Sequence, residues 1–484
     1  MIRRLRASIA FLMSSTLVLG GLVGGCSVNP ATGRNQLNFF GEASEIEMGR
    51  EADAEIVDTV GLYDDPLLQD YVHDLGMEIA EASERPNLPW SFKILDDPAV
   101  NAFALPGGFV YVTRGLMTHL GSEAELVAVL GHEAGHVTAR HGVNQMSKQI
   151  LASVGLGVAA VLDDDLADLA FLGEIGLGLV FLKYSRDDER QADDLGLRYS
   201  VRTGYDPRQM PEVFHVLDAV SKVEGVGRLP NWLSTHPDPG VRGKRIEEEV
   251  AALDGDFSNA KVERDSYLQR LDGMTFGSNP REGYFQGNAF LHPDLRFRID
   301  FPEGWDTSNQ KAAVTAAEPD GKAMVQVSTS DKDTRDEAGE AFFSEAGLTR
   351  GKSWEKKVHG LPASWSRFEF KDEDSDLRGT VAFVEHGESV FQVLALSETA
   401  GWNDLQETLE ETIASFSKLD DPKALQTRPY KIRIVRLDSD MTVESFAKRY
   451  PSDVPLETVA LINHVEPGGT LRKGQIAKRV VTVP

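Results

Sequence analysis

The run His132-Glu133-Ala134-Gly135-His136 decides the fold of this part of the chain, because it predicts a helix with a metal site on one side. Ser122 and Glu125 just before it have the spacing of a capping box, so we expect the helix to begin there. The two histidines are four residues apart and project from the same side of a helix. Two imidazoles placed in this way can share one zinc ion, and the glutamate between them can hold a water beside it.

A second run, Glu189-Arg190-Gln191-Ala192-Asp193, supplies carboxylates for the same site. Zinc in a catalytic site commonly takes three protein ligands and keeps a fourth position for water. Glu189 is the predicted third ligand. Asp193 lies one helical turn later, where its carboxylate can accept the N–H of a ligand histidine and fix its tautomer. The alternative is a solvated acidic helix face, since three more aspartates flank these positions.

Glu133 has a different predicted role from its two neighbouring histidines. Its side chain cannot point toward the metal together with both imidazoles, but it can reach a water at the open position. It can take a proton from that water and later pass the proton to the leaving amine. Because zinc also polarises a scissile carbonyl, the pattern predicts peptide-bond hydrolysis without a covalent intermediate.

Two further histidines follow the first run. His141 does not fit the third-histidine position of the metzincin zinc-binding pattern. That pattern requires glycine at position 139 and histidine at 142, where this chain has Ala139 and Gly142. We therefore expect a structural role for His141. His236 stands in a loop before a predicted helix. It could stabilise a tetrahedral oxyanion or block the open position of the metal, and the sequence leaves both roles open.

The N-terminal residues predict export and lipid anchoring. Residues 1–25 combine three arginines with an apolar, glycine-rich stretch that is too short for a transmembrane helix, which is typical of a signal peptide. Cys26 is the only cysteine and ends a Leu-Val-Gly-Gly-Cys run that resembles a bacterial lipobox. The alternative is an ordinary signal peptide followed by a chance cysteine. Lipidated Cys26 would hold the protein on the periplasmic side of the envelope, and the following Ser27 points to the outer membrane.

Composition narrows the class of protein. With 484 residues and 41% apolar residues, the chain is expected to fold as several soluble domains. Its net charge of −26 argues against a nucleic-acid partner and against electrostatic docking on anionic lipid. A single cysteine also excludes an intramolecular disulfide.

The expected fold class is α+β with several domains. Residues 26–41 are predicted to be a lipidated tether, residues 42–255 a mostly helical zinc metalloprotease domain with a small sheet, and residues 256–419 an α+β domain of unknown role. A linker is predicted at 420–429. Residues 430–484 look like a diverged LysM module, a type that binds peptidoglycan. The alternative for this tail is a small αβ adaptor without affinity for sugar.

Four stretches together resemble metallopeptidase family forty-eight, the family of HtpX, the CAAX prenyl proteases and BepA. They are Asn101-Ala102-Phe103-Ala104-Leu105-Pro106-Gly107-Gly108, the first histidine run with Arg140-His141 after it, Tyr184-Ser185-Arg186 with Glu189, Ala192 and Asp193, and Ser234-Thr235-His236-Pro237. The resemblance covers about half of the chain and implies a gluzincin-type fold with one zinc ion per chain. The implied site consists of His132, His136 and Glu189 as zinc ligands, Glu133 as catalytic base, His236 at the open metal position and Asp193 beside a ligand histidine.

The branch of this family without transmembrane helices implies a zinc endopeptidase that acts on periplasmic or outer-membrane proteins in quality control. The alternative is a chaperone or assembly factor whose zinc site is mostly closed by His236. The expected partners are protein or peptide substrates, the membrane through Cys26, and peptidoglycan through residues 430–484. No nucleic acid is expected.

Overall fold

The computed structural model describes residues 27–156, 182–220, 232–372 and 375–482. Cys26 and the predicted signal peptide lie outside the described residues. The described chain forms two compact units, one of residues 27–278 together with 429–482, the other of residues 279–428.

Both units contain helices and strands, so the predicted α+β class with several domains is confirmed. Within the described ranges, no helix combines the length and the apolar character that crossing a bilayer would need.

The first unit is mostly helical up to residue 278. It starts with the paired strands β1 (Ser27–Val28) and β2 (Asn35–Gln36). Its helices are α1 (Glu42–Thr59), α2 (Pro66–Ala82), α3 (Arg114–His119), α4 (Glu123–Ala139), α5 (His141–Leu156), α6 (Arg186–Arg202), α7 (Met210–Val220), α8 (Trp232–Thr235), α9 (Pro239–Ala252) and α10 (Arg264–Arg270). A small sheet holds β3 (Ser91–Leu95), β4 (Ala102–Leu105) and β5 (Phe109–Thr113). The central strand β5 is parallel to β3 and antiparallel to β4.

Helix α4 carries both histidines of the first run and begins where the sequence predicts. The Ser122 side chain accepts a hydrogen bond from the Glu125 backbone N–H at 3.2 Å, and the Glu125 carboxylate accepts one from the Gly121 N–H at 2.7 Å. The helix ends before Arg140, whose backbone is left-handed with a φ of 60°. All 17 residues of α4 are buried. Among the described residues, α6 and the segment around Trp232 and His236 lie against its histidine side.

The second unit is built on a seven-stranded antiparallel sheet in the order β10-β11-β12-β16-β15-β14-β13. Its strands are β10 (Asp306–Asn309), β11 (Ala313–Ala317), β12 (Ala323–Thr329), β13 (Leu348–Glu355), β14 (Ala363–Lys371), β15 (Asp376–His386) and β16 (Ser389–Glu398). A four-stranded sheet contains β7 (Tyr284–Gln286), β8 (Ala289–His292), β9 (Phe297–Asp300) and β17 (Ser417–Lys418). The helices are α11 (Arg335–Phe343), α12 (Trp402–Ala414) and α13 (Pro422–Leu425).

The C-terminal tail returns to the first unit. It contains β18 (Tyr430–Arg436), β19 (Met441–Thr442), α14 (Val443–Arg449), α15 (Leu456–Ile462), β20 (Thr470–Leu471) and β21 (Ile476–Thr482). Strand β18 pairs antiparallel with β21 and, on its other side, with β6 (Thr275–Phe276). Ile432 and Val480 belong to the same apolar core as Leu126 and Leu130 of α4. The tail is therefore packed into the unit that holds the two site helices.

Candidate metal centre

The site is built where α4 and α6 cross at very short range. Gly131 and Gly135 of α4 face Gly196 and Ala192 of α6. A β-carbon added to Gly196 would lie 2.9 Å from the His132 backbone nitrogen, and one added to Gly135 would lie 3.0 Å from the Ala192 carbonyl oxygen. Because both obstacles are backbone atoms, only glycine permits this approach. The approach brings Glu189 of α6 next to the histidines of α4.

Four buried side chains meet at this crossing and could hold a metal ion. One potential ligand atom from each of His132, His136, Glu189 and His236 lies within 4.8 Å of the others. The three predicted ligands are thus brought together, and His236 joins them from outside both helices. Glu189 Oε2 is buried and makes no hydrogen bond among the described residues, although Arg242 Nη1 lies 2.6 Å away in an ion pair. Three imidazole nitrogens and a carboxylate are a donor set that suits zinc.

Asp193 lies behind His132, as the sequence predicts. Its Oδ1 is 3.0 Å from His132 Nδ1, so the histidine can donate this N–H and present Nε2 to the cluster. Burial would raise the pKa of Asp193, but the Arg242 guanidinium and the His132 hydrogen bond hold this pKa below its ordinary value. The carboxylate is therefore charged and orients the ring.

Arg242 of α9 is a functional residue that the sequence analysis missed. It is buried, and it donates to both Asp193 oxygens at 2.5 and 3.0 Å. Its guanidinium carbon lies 4.7 Å from the Trp232 ring centre and 4.9 Å from that of Phe214. This one cation compensates two buried carboxylates, Asp193 and Glu189. In the sequence it is one of two arginines in an ordinary charged helix, so no local signal marks it.

His141 contacts the site directly, which the sequence analysis also missed. His141 Nδ1 lies 3.0 Å from His136 Nδ1, and His141 Nε2 lies 2.9 Å from Gln191 Oε1. Burial lowers the pKa of His141 and lowers the pKa of His136 well below its ordinary value. Both rings are therefore held neutral. The Tyr184 ring stacks on His136 with centroids 4.0 Å apart and covers the other side of the imidazole.

Glu133 is buried beside the cluster and not in it. Trp232 Nε1 donates to Glu133 Oε1 over 3.4 Å, and His236 Nε2 lies 3.6 Å from the same oxygen. Burial raises the pKa of Glu133 to about 7. A carboxyl group with this pKa can both accept and release a proton near neutral pH.

His236 sits between the base and the third predicted ligand. Its Nδ1 lies 2.9 Å from Glu189 Oε1 and 3.3 Å from His132 Nε2. The ring stacks on Trp232 with centroids 4.6 Å apart. Burial lowers the pKa of His236 to about 4, so the ring is neutral at physiological pH. A neutral imidazole in this place is able to enter the coordination sphere of a metal.

Comparison with known proteins now identifies this part of the chain. The model of Peptidase family M48 matches residues 66–250, which include α4, α6 and most of α9. Residues 66–250 form a Peptidase family M48 domain. The resemblance predicted from the motifs is thereby confirmed, and the chain carries the domain of a metallopeptidase family.

The relatives that match this domain include bacterial proteases and mitochondrial metalloendopeptidases. The chain is 25% identical over 254 residues to the beta-barrel assembly-enhancing protease of Escherichia coli, a match that covers 50% of this chain and 52% of the relative. It is 34% identical over 172 residues to the mitochondrial metalloendopeptidase OMA1 of Arabidopsis thaliana, covering 35% and 33%. OMA1 of Schizosaccharomyces pombe is 31% identical over 227 residues, covering 45% and 65%. The chain thus spans between a third and two thirds of the length of these relatives.

Proposed function

We propose that this chain is a zinc-dependent endopeptidase that hydrolyses peptide bonds of outer-membrane or periplasmic proteins in envelope quality control. The observation that carries the proposal is the buried cluster of His132, His136 and Glu189, with the proton-accepting Glu133 beside it. A gluzincin-type arrangement follows, in which two histidines of one helix and a glutamate of a second helix hold the metal.

Each residue of the site has its own role in the proposed hydrolysis. His132, His136 and Glu189 would hold the zinc ion, which when bound acidifies water and polarises a carbonyl. Glu133 takes the proton of the attacking water and returns it to the leaving amine. Asp193 and Arg242 keep His132 in the tautomer whose Nε2 is free. Because the site is buried, water is largely excluded, and these electrostatic contacts are strong.

The place of action and the anchor rest on the sequence and on the names of relatives. The lipobox-like run that ends at Cys26 supports lipid anchoring in the bacterial envelope, on the outer membrane. The name beta-barrel assembly-enhancing protease, borne by the Escherichia coli relative, supports substrates among envelope proteins. The order β18, β19, α14, α15, β20 and β21, in which two helices stand between the paired strands β18 and β21, supports a LysM-like tail that binds peptidoglycan.

The catalytic part of the proposal is tested with Glu133→Gln. We expect the variant to bind zinc, measured by metal analysis, and to lose casein cleavage by a factor of about 10² or more, since proton transfer by a positioned base contributes that much. Glu51→Gln, an exposed position on α1, is the matched control and should cleave as the wild type does. Cleavage that survives both a chelator and Glu133→Gln would refute the proposal.

The substrate class and the tail need separate experiments. Comparing the envelope proteome of cells with wild-type protein and with Glu133→Gln should show proteins that accumulate in the variant, and no accumulation would contradict envelope substrates. The intact chain should sediment with purified peptidoglycan and be released by soluble peptidoglycan fragments. A chain that stays in the supernatant would contradict the proposed role of the tail.

A second function is favoured by the position of His236. Since His236 Nδ1 lies within hydrogen-bonding distance of Glu189, the ring can close the fourth metal position, and the protein would then act mainly as a chaperone or assembly factor. His236→Ala separates the two functions. A rise in casein cleavage would show that His236 blocks the metal position in the wild type, and it would support the chaperone function. A collapse of cleavage with zinc still bound identifies a group that stabilises the transition state.

A further inference from the structure

His136 and His141 face each other through the same ring atom. The two Nδ1 atoms are 3.0 Å apart, and both rings are buried. One of these nitrogens must carry a proton and the other must not, because two N–H groups or two lone pairs at this distance would repel. If the proton is on His136, the Nε2 of that ring has a lone pair for a metal. If it is on His141, a neutral His136 carries its proton on Nε2 and cannot bind one.

The N-terminal turn favours one of these two states, and so does the Asp188 carboxylate, whose Oδ1 lies 3.6 Å from His141 Nε2. Asn29 Oδ1 accepts hydrogen bonds from the backbone N–H groups of Ala31 and Thr32, at 2.9 and 3.2 Å. A backbone N–H can only donate, so the orientation of the Asn29 amide is set, and its NH2 group points the other way. That group faces three acceptors: Gln36 Oε1 at 3.1 Å, the Ala139 carbonyl at the end of α4 at 3.2 Å, and Gln191 Oε1 at 3.3 Å.

The orientation of the Asn29 amide fixes which atom donates and which accepts in each following hydrogen bond. Gln191 must present its oxygen to the Asn29 NH2 group, and the same oxygen lies 2.9 Å from His141 Nε2. His141 must therefore donate from Nε2, which leaves the Nδ1 of the neutral ring as an acceptor. The partner of that acceptor, His136 Nδ1, must then be the donor.

We infer that Asn29, Gln191 and His141 form a directed chain of hydrogen bonds that holds His136 in the tautomer with a free Nε2, and that these three are positioning residues of the metal centre. The inference rests on the metal site of the proposed function. It assigns a role to the segment predicted as a tether: Asn29, the buried first residue of an otherwise exposed turn, lies against the end of α4 and sets the state of a ligand 107 residues later in the chain. Removing the contact that orients a ligand histidine typically lowers metal affinity by about 10- to 100-fold. We expect a loss of this size when the hydrogen-bond chain is broken.

Asn29→Asp tests the direction of the chain, because it keeps the shape of the side chain and removes the donor. One carboxylate oxygen still accepts from Ala31 and Thr32, and the other faces Gln191, whose amide then turns its NH2 group inward. His141 can no longer donate to Gln191, and His136 is driven to the tautomer with hydrogen on Nε2. Asn29→Ala removes the acceptor of the Ala31 and Thr32 N–H groups together with the donor, but it does not force the Gln191 amide to reverse. Zinc affinity, measured by competition with a chelator, should fall about tenfold or more in Asn29→Asp and clearly less in Asn29→Ala.

The tautomer of His136 is measured by nitrogen NMR of the full, metal-free chain in which the histidines carry a nitrogen isotope label. The His136 signals are assigned by their loss in His136→Asn. We expect the proton on Nδ1 in the wild type and on Nε2 in Asn29→Asp. An unchanged tautomer, or equal zinc affinity in the two Asn29 variants, would overturn the inference. If Asn29→Asp does not fold, Gln191→Glu and Gln191→Leu decide: the glutamate keeps the acceptor and should retain most of the affinity that leucine loses, and equal losses would overturn the inference. A protein that binds no zinc at all would contradict the proposed function. The tautomer measurement would still test the chain of hydrogen bonds.

Discussion

Gly131 of α4 and Gly196 of α6 lie against each other without a side chain between them. A β-carbon on Gly131 would stand 3.3 Å from the Gly196 Cα, and one on Gly196 would stand 2.9 Å from the His132 backbone nitrogen. The distance between the helices is therefore the smallest that their backbones allow. This distance sets how far the Glu189 carboxylate stands from the imidazoles of His132 and His136.

Gly196→Ala should separate the two helices and weaken the metal site. The added methyl group meets backbone, which cannot rotate away, so we expect a loss of about 1–3 kcal/mol in the free energy of unfolding, as for other overpacked contacts. Zinc affinity should fall with it, and urea unfolding and chelator competition measure the two effects. Gly240→Ala is the control, because its β-carbon would meet only a side-chain atom at 3.9 Å. Wild-type zinc affinity in Gly196→Ala would show that the crossing does not set the ligand distances.

Arg242→Met should destabilise the metal-free protein strongly. The substitution leaves Glu189 buried without its cation and Asp193 with only the more exposed Arg245, and breaking such a buried pair costs about 3–5 kcal/mol. Arg242→Lys should rescue little, since an ammonium group cannot reproduce the planar fork on Asp193. Urea unfolding of chelator-treated protein measures both. Arg245→Met removes a more exposed contact to the same carboxylate and should cost less. Equal losses in the Arg242 and Arg245 variants would contradict this account.

Acid should loosen the contact between the tail and the site unit through His464. Burial lowers the pKa of His464 to about 4, and its Nε2 lies 2.7 Å from the His119 carbonyl oxygen. Between this pKa and the ordinary value of about 6.5, the unfolded chain binds more protons than the folded one, so stability rises with pH in this window and is lost as pH falls through it. At pH 5 the loss relative to pH 8 is about 1–2 kcal/mol for this group.

The measurement is the free energy of unfolding of wild type and His464→Gln at pH 8 and pH 5. The difference between the two proteins should shrink or reverse at pH 5, because glutamine does not titrate. Parallel pH profiles for wild type and His464→Gln would be the contrary result.

Lys478→Met should disturb the start of α4 from the C-terminal tail. The buried Lys478 ammonium donates to the carbonyl oxygens of Thr118 and Leu120, at 2.9 and 2.7 Å, directly before the α4 cap. Removing the donor costs these buried carbonyls a hydrogen bond, so we expect a loss of about 1–3 kcal/mol. Amide hydrogen exchange in the first turn of α4 should speed up, whereas Lys473→Met at an exposed position should leave it unchanged. Unchanged exchange in Lys478→Met would show that the tail does not support this helix.

Local patterns predicted α4 well because its signals are local. The Ser122–Glu125 cap and the four-residue spacing of the histidines depend only on neighbours in the chain, and both hold in the structure. The same is true of Glu189 and Asp193, which share one side of α6. No local pattern predicted what lies against the histidine side of α4, because segments distant in sequence decide it.

The sequence by itself determined the donor types of the centre and their spacing on two helices, since helical geometry follows from residue spacing. Only the tertiary structure decided that Arg242 compensates the carboxylates, that Asn29 and Gln191 direct the proton of His136, and that Lys478 supports the start of α4. Hydrogen bonds and ion pairs between distant segments leave no periodic trace in a single sequence. Their partners are chosen when burial removes water and every polar group must find a protein atom instead.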